Sequence, residues 1–174
     1  MQLLKKMATD FIKEQGFKAI DNRLKRISDR ISHDTRKFFK RIDLDVEPSW
    51  HLVFKLLKEN KNLTMAEIAQ QLGYSHPSMV VLLKKMTAKG YIISENDPSD
   101  KRKQHINLTQ KSKDLLPLLE NIWNACENAI YNMLNEDLSI IKYLDDIETS
   151  LKAIPIDERF YYEYQKQIKP VNHV

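Results

Sequence analysis

The chain has 174 residues, of which 42% are hydrophobic and 30% are charged, and its formal net charge is +4 at pH 7. This length and composition exclude wholesale disorder and suit one domain, or a small domain with added helices. The three glycines, Gly16, Gly73 and Gly90, lie too far apart to form a glycine-rich phosphate loop, which excludes nucleotide sites of the Rossmann or P-loop type. The single cysteine, Cys126, excludes an intramolecular disulfide framework and a cysteine zinc cluster.

The charges are distributed unevenly along the chain. Residues 1–45 and 75–113 each carry a net charge of +5, whereas residues 114–174 carry −6. This asymmetry favours a protein that presents a basic face to a polyanion, with ordinary solvated charge as the alternative. No run of eighteen apolar residues occurs, and residues 1–16 lack the apolar segment of a signal peptide. We therefore expect a cytoplasmic protein without a membrane partner.

Two helices are predicted at the start of the chain, at residues 17–42 and 48–59. The first is indicated by apolar residues at helical spacing, namely Ile20, Leu24, Ile27, Ile31 and Phe38. The second has a predicted buried stripe of Trp50, Val53, Phe54 and Leu57. Together with the scarcity of glycine, these patterns predict a mainly helical protein.

Two short helices joined by a tight turn are predicted next. Thr64 is a predicted N-cap, and Glu67 three residues later completes a capping box. That helix should end at Gly73, which can adopt the left-handed conformation of a helix stop. Ser75 is the predicted cap of the second helix, and Pro77 suits its first turn. The apolar side chains expected to pack the two helices together are Ile68, Ala69, Leu72, Met79, Leu82 and Leu83.

After Gly90 the pattern changes from helical to alternating. Residues 91–94 are a short predicted strand, and residues 104–108 alternate polar and apolar side chains, as a strand with one buried face does. Residues 96–103 between them are rich in turn formers and lysine or arginine. A two-stranded hairpin with a basic tip is therefore expected to follow the helix pair.

Two further helices and a tail are predicted after the wing. Residues 109–134 form a long apolar-rich pattern, in which Pro117 should either kink the helix or set its true start. A last amphipathic helix should begin at Asn135 and end at Pro155, and the end from Lys169 should fray. Aromatic residues between these points are expected to cover dimer surface, with a ligand-lining role as the alternative: Phe160, Tyr161, Tyr162 and Tyr164.

Four motifs together resemble those of the MarR family of bacterial regulators. They are Leu63-Thr64-Met65-Ala66-Glu67-Ile68-Ala69 with Leu72-Gly73, then Ser75-His76-Pro77-Ser78, then Lys89-Gly90-Tyr91-Ile92, and finally Asp97-Pro98-Ser99-Asp100-Lys101-Arg102 with Leu108-Thr109. The resemblance runs from about residue 16 to residue 151 and is most specific over 63–113. It implies a homodimer with interlocked terminal helices that places two recognition helices in successive major grooves of double-stranded DNA.

The predicted fold is thus mainly α, a winged helix-turn-helix with a small β-hairpin wing and with dimerisation helices at both ends. We predict N-terminal dimerisation and scaffold helices at 1–45 and a DNA-binding lobe at 46–113. C-terminal dimerisation helices and a tail follow at 114–174.

The candidate DNA-binding residues lie on the second helix of the pair and on the wing: Ser75, His76, Ser78, Val80, Val81, Lys84, Lys85, Lys101, Arg102 and Lys103. The resemblance implies that Arg102 is the wing arginine that reaches the minor groove or its phosphates, with Asp100 paired to it. Phosphate contact is expected for Lys84, Lys85 and Lys89, with a solvated helix face as the alternative. For the wing, the alternative is a simple solubility loop.

The two valines depart from the family pattern, in which these positions are often polar or basic. Val80 and Val81 could contact a thymine methyl group, or base reading could shift to His76, Ser78 and Lys84. No operator sequence can therefore be carried over from the family.

Other candidate sites are weaker. The resemblance implies a ligand cleft lined by the early helix and by residues around Trp50 and His51. Glu47 and His51 have helical spacing that would suit a metal, but no further Cys or His lies near them in the sequence, so an ordinary pair is expected. Cys126 falls on an apolar helix face and is interpreted as a buried structural thiol, with a redox sensor as the alternative. We expect no metal and no cofactor.

These features predict a sequence-specific transcriptional regulator, a homodimeric repressor of a pseudo-palindromic operator that a small molecule or stress signal releases. Enzymatic activity is not expected, because the five histidines are scattered and no nucleophile elbow or carboxylate pair occurs. The alternative is a winged-helix adaptor that binds proteins without specific DNA binding.

Overall fold

The computed structural model describes residues 9–97, 99–100 and 102–168. The chain divides into two compact units, Met1–Leu116 and Pro117–Val174. The first unit contains, in order, α1 (Phe11–Glu14), α2 (Ile20–Arg41), α3 (His51–Glu59), β1 (Leu63–Thr64), α4 (Met65–Leu72), α5 (His76–Ala88), β2 (Ile92–Asn96) and β3 (Gln104–Leu108). No described helix is long and apolar enough to cross a membrane.

The two predicted N-terminal helices are present. A 3-10 turn at Gly16–Ala19 leads into α2, and a second at Pro48–Trp50 leads into α3. The predicted stripe of α3 is buried and forms the centre of the lobe, together with Tyr91. The Tyr91 ring packs edge-on against Trp50 and Phe54, with centroids 5.6 Å away in each case.

The helix-turn-helix forms as its caps predict. The Thr64 hydroxyl accepts from the backbone N–H of Glu67, whose carboxylate accepts from the backbone N–H of Thr64 at 2.7 Å. Gly73 ends α4 with φ of 67°, a left-handed conformation that a side chain would strain. The Ser75 hydroxyl accepts from the backbone N–H of Ser78 and caps α5. Of the six predicted packing residues, all are buried except Leu72, which is half-buried.

The wing is part of a three-stranded antiparallel sheet, not of an isolated hairpin. The strand order is β1-β3-β2, with Leu63 opposite Ile106 and Ile92 opposite Leu108. The prediction missed β1, because two residues are too short to show an alternating pattern. The sequence also predicted the first wing strand at residues 91–94, whereas the observed strand β2 spans Ile92–Asn96. Pairing with β3 extends it to Asn96.

The second unit is helical. The helix α6 (Gln110–Met133) begins in the first unit and continues into the second, where α7 (Ser139–Ala153) and α8 (Ile156–Ile168) follow. Pro117 lies inside α6 and does not set its start. The helix α7 starts four residues after the predicted Asn135, since Asn135 and Glu136 both have positive φ.

The prediction of Pro155 as a helix end is correct, but α8 was not predicted. The four aromatic residues of the predicted tail lie on this helix of 13 residues. The frayed end predicted from Lys169 lies outside the described residues.

Candidate nucleic-acid interface

The helix α5 separates a buried face from a solvent face. Met79, Leu82, Leu83 and Met86 are buried, and all four fall on one side of the helix. The opposite side carries Pro77, Val81, Lys84 and Ala88, which share a face at helical spacing and are exposed. Among the candidate residues, Val81 and Lys84 therefore lie at the middle of the solvent face.

The remaining candidates on α5 flank that middle line. Val80 is 38% exposed against 56% for Val81, and Lys85 is exposed on the other flank. His76 is exposed at the first position of the helix. The Ser78 hydroxyl accepts from the Ser75 hydroxyl at 2.9 Å, so the two serines form one polar group at the helix N-terminus.

The wing tip presents one arginine to solvent. The side chain of Arg102 is 91% exposed, while Asp100 is 28% exposed. Arg102 donates to Oδ1 of Asp100 from both its backbone N–H and its Nε, each at 3.1 Å. This guanidinium lowers the pKa of the Asp100 carboxyl. The predicted pairing of Asp100 with Arg102 is therefore present, and it leaves most of the guanidinium accessible.

Of the two other basic wing candidates, Lys103 is exposed. Its backbone N–H donates to the carbonyl of Asp100 at 2.8 Å, which closes the turn of the tip. The predicted contact residue Lys101 lies outside the described residues.

Lys89 differs from the two other lysines for which phosphate contact was expected. Its ammonium lies 2.6 Å from Oδ2 of Asp45, and this carboxylate raises the pKa of Lys89. The Tyr91 hydroxyl donates to the carbonyl of Asp45 at 2.8 Å, so the acidic partner is held in place. Lys89 therefore ties the end of α5 to the loop before α3, a contact between residues 44 apart that their sequence could not indicate.

A cavity of about 690 Å³ opens beside that ion pair. It is lined by the end of α2, the loop before α3 and the end of α5, with the residues Arg36, Phe39, Lys40, Asp43, Leu44, Asp45, Val46, Glu47, Trp50, Lys85, Ala88 and Lys89. The expected cleft residue Trp50 lines it. His51, the first residue of α3, is half-buried and does not line it.

The other two sites considered are weak. Burial, with the ammonium of Lys55, lowers the pKa of His51. No group of three potential metal ligands occurs among the described residues. Cys126 is half-buried, not buried as predicted, and this partial burial raises the pKa of its thiol. A raised pKa leaves less of the reactive thiolate near neutral pH, which disfavours redox sensing.

Two residues of the wing escaped the sequence analysis. Asp97 accepts at Oδ1 from the backbone N–H of Ser99 and of Asp100, at 2.7 and 2.9 Å, and its Oδ2 lies 2.6 Å from Nε2 of His105. The hydrogen bonds from Ser99 and then from His105 hold the pKa of Asp97 far below its usual range. The Asp-Pro-Ser-Asp sequence is a turn signal for Asp97. No pattern pointed to His105, which is eight residues away.

Two helices joined by a glycine turn and followed by a β wing define a winged helix-turn-helix protein. Residues 44–103, which include the helix pair and most of the wing, match the family model described as "MarR family". The match covers about a third of the 174 residues, and it shows that the helix pair and the wing are similar to those of the MarR family.

Known proteins resemble a longer part of the chain. The HTH-type transcriptional regulator Hpr of Bacillus cytotoxicus is 24% identical over 159 residues, covering 80% of this chain and 83% of Hpr. The crystal structure of the S. aureus MepR–DNA complex has a TM-score of 0.62 at 18% identity, covering 77% of this chain and 96% of that one. The crystal structure of a MarR/EmrR family regulator from Acinetobacter sp. ADP1 has a TM-score of 0.66 at 15% identity, covering 77% of this chain and 95% of that one. These structures support the fold.

Proposed function

We propose that this protein is a DNA-binding transcriptional regulator that works by binding and catalyses no reaction. The observation that carries the proposal is the first compact unit, which exposes the Val81–Lys84 face of α5 and the guanidinium of Arg102. A helix can enter the major groove while an arginine on the wing meets the minor groove or its phosphates. The MarR-family relatives named above, one of them solved with DNA, support the same function.

The test is a mobility shift of the full-length protein on a duplex from its own promoter region and on a scrambled duplex, each at two salt concentrations. A specific regulator should bind the promoter duplex more tightly than the scrambled duplex at both salt concentrations. Its affinity should fall with salt on both duplexes, because phosphate contacts release counterions. Equal and weak binding to both duplexes would favour the protein-binding adaptor. Sequencing DNA recovered with the purified protein then identifies the operator.

We infer that the protein acts as a homodimer on a pseudo-palindromic site. Within the first unit, α2 exposes an apolar seam at spacings of four, three and four residues: Ile20, Leu24, Ile27 and Ile31. Within the second unit, α7 exposes a stripe of its own: Ile140, Leu144, Ile147 and Leu151. Apolar faces of this length are unusual on monomeric proteins and are typical of association surfaces. A second copy of the chain is the occupant that the family resemblance suggests.

The proposed response to a small molecule is supported by the cavity at the end of α2. Phe39, Val46 and Trp50 give it a buried apolar wall, and Lys85 of α5 is also among its lining residues. A ligand there would directly touch α5, which is the recognition helix in this proposal. It can weaken DNA binding only by favouring a lobe position that no longer fits the grooves, and repression would then be relieved.

Residues in the first turn of α5 should contribute to DNA binding differently from residues two turns later. Lys84 lies at the middle of the solvent face two turns into α5, whereas His76 and Ser78 lie in the first turn. We expect Lys84→Ala to weaken promoter and scrambled duplexes alike and to lower the salt slope by about one unit for each phosphate that the ammonium no longer neutralises. His76→Ala or Ser78→Ala should instead lower the ratio of specific to non-specific binding.

Binding isotherms on both duplexes at several salt concentrations check this division. If Lys84→Ala erased discrimination while the first-turn variants kept it, the helix would lie in the groove in another orientation. Val81→Ala is then the informative variant, since Val81 shares the solvent face with Lys84 and can contact a thymine methyl group.

A further inference from the structure

The middle strand of the sheet carries a histidine that none of the roles above uses. His105 lies opposite Glu95 of β2 and opposite Thr64 of β1. Its Nε2 is 2.6 Å from Oδ2 of Asp97, and each of these side chains is only 18% exposed. A contact this short between an imidazole and a carboxylate, largely out of water, is a strong hydrogen bond.

Asp97 connects this hydrogen bond to the loop that carries Arg102. Its second oxygen holds the backbone N–H groups of Ser99 and Asp100, and its own backbone N–H donates to the carbonyl of Lys103 at 3.0 Å. Asp100 in turn holds the backbone N–H and the Nε of Arg102. A continuous chain of hydrogen bonds therefore runs from the imidazole in the sheet to the guanidinium at the wing tip.

The donor in this chain can be assigned. Because a carboxylate only accepts hydrogen bonds and the pKa of Asp97 lies far below its usual range, Nε2 of His105 must carry the hydrogen in either charge state of the ring. Nδ1 is buried and has no hydrogen-bond partner within the described ranges. The ring is thus oriented through Nε2.

The other charged groups near the imidazole are Glu95, which lies opposite His105 on β2, and Glu67 of α4. Glu95 accepts from Asn107 at 2.9 Å, and Glu67 accepts from Thr64 at 2.7 Å. Asp97 is therefore the carboxylate that meets the ring at hydrogen-bond distance.

We propose that His105 is a positioning residue for DNA binding by the wing, acting through Asp97 to hold the loop that presents Arg102. The expected effect of His105 on DNA binding rests on the proposed function, whereas its expected effect on the order of the loop does not. If His105 has no donor at Nε2, the part-buried Oδ2 of Asp97 loses its hydrogen bond from the sheet. The loop then samples more conformations, and Arg102 is less often where DNA needs it.

Three variants of the full-length protein test the loop. His105→Leu removes the donor, His105→Gln replaces it with an amide N–H of similar reach, and Asn107→Ala is the matched control on the same face of β3. The exchange of the Ser99 and Asp100 amide protons is measured by NMR in the absence of DNA. We expect His105→Leu to speed exchange about tenfold, with His105→Gln restoring most of the protection and Asn107→Ala leaving it unchanged.

A double-mutant cycle tests the consequence for DNA. On the promoter duplex, His105→Leu should weaken binding about fivefold in the wild-type background and less than about twofold in the Arg102→Ala background, because the two residues act through one contact. In the Lys84→Ala background the fivefold weakening should persist.

Two results would overturn the inference. One is unchanged amide exchange in His105→Leu, whatever happens with DNA. The other is an equal reduction of affinity with and without Arg102, which would mean that His105 acts on the lobe as a whole. If the wild type preferred neither duplex, the proposed function would fail, and amide exchange alone would still decide whether His105 orders the loop.

Discussion

Ending the chain after Leu116 should convert the protein to a monomer and weaken promoter binding by roughly a hundredfold or more, since linking two binding modules raises affinity by about 10²–10⁴. The cut removes α7, α8 and most of α6 but leaves the first compact unit whole. A single lobe still has α5 and the wing. In the proposed dimer, once one lobe is bound to DNA, the second lobe binds in an intramolecular step. The truncated chain loses this second binding step.

A subtler pair of variants separates loss of the dimer from loss of folding. Ile147→Lys places a charge in the exposed apolar stripe of α7, and Thr149→Lys places the same charge on the opposite face of the same helix. We expect Ile147→Lys to reproduce much of the effect of the truncation and Thr149→Lys to bind as the wild type does.

Light scattering at micromolar concentration measures the mass, circular dichroism checks helicity, and isotherms on the promoter duplex give the affinity. A wild type that was monomeric at this concentration would refute the dimer. Dimeric mass and full affinity in the Ile147→Lys variant would show that another surface holds the two copies together.

Replacing Arg102 by alanine should cost about 1–3 kcal/mol of promoter binding, which is the usual value of one specific arginine contact. Because the Arg102 side chain is 91% exposed, stability should change by no more than about 0.5 kcal/mol. The Asp100 carboxylate would keep its hydrogen bond from the backbone of residue 102. The effect should therefore be confined to DNA binding.

Lys142→Ala is the matched control, because it removes one positive charge from an exposed position on α7. Isotherms for both variants on promoter and scrambled duplexes, with melting temperatures, check the expectation. Promoter affinity that was unchanged in Arg102→Ala, with a wild type that binds specifically, would show that the wing arginine is misassigned.

Local chemistry made the helix pair predictable from the sequence. The caps at Thr64 and Ser75 and the stop at Gly73 involve groups no more than a few residues apart, so side-chain spacing alone indicates them. The pairing of Asp100 with Arg102, two residues away, was implied by the family resemblance, and it too is a local contact. The exposed side of α5, where we propose that DNA binds, could be anticipated because the buried side of the helix is clear from its apolar spacing.

Features that depend on distant partners could not be predicted. The strand β1 exists because Leu63 and Thr64 pair with β3, more than 40 residues later. The ammonium of Lys89, for which phosphate contact was expected, is bound by Asp45, and His51 does not line the cavity that Trp50 lines. Each outcome depends on which loop packs beside which helix.

The sequence by itself determined the class of fold, the ends of the two central helices and the polarity of the wing, because caps, turns and apolar periodicity act over a few residues. Only the tertiary structure decided that Asp97 and His105 meet and that Tyr91 joins α3 to the end of α5. These contacts form when the sheet and helices bury a common core. Their energy depends on distance and burial, and neither quantity is encoded in the spacing of residues along the chain.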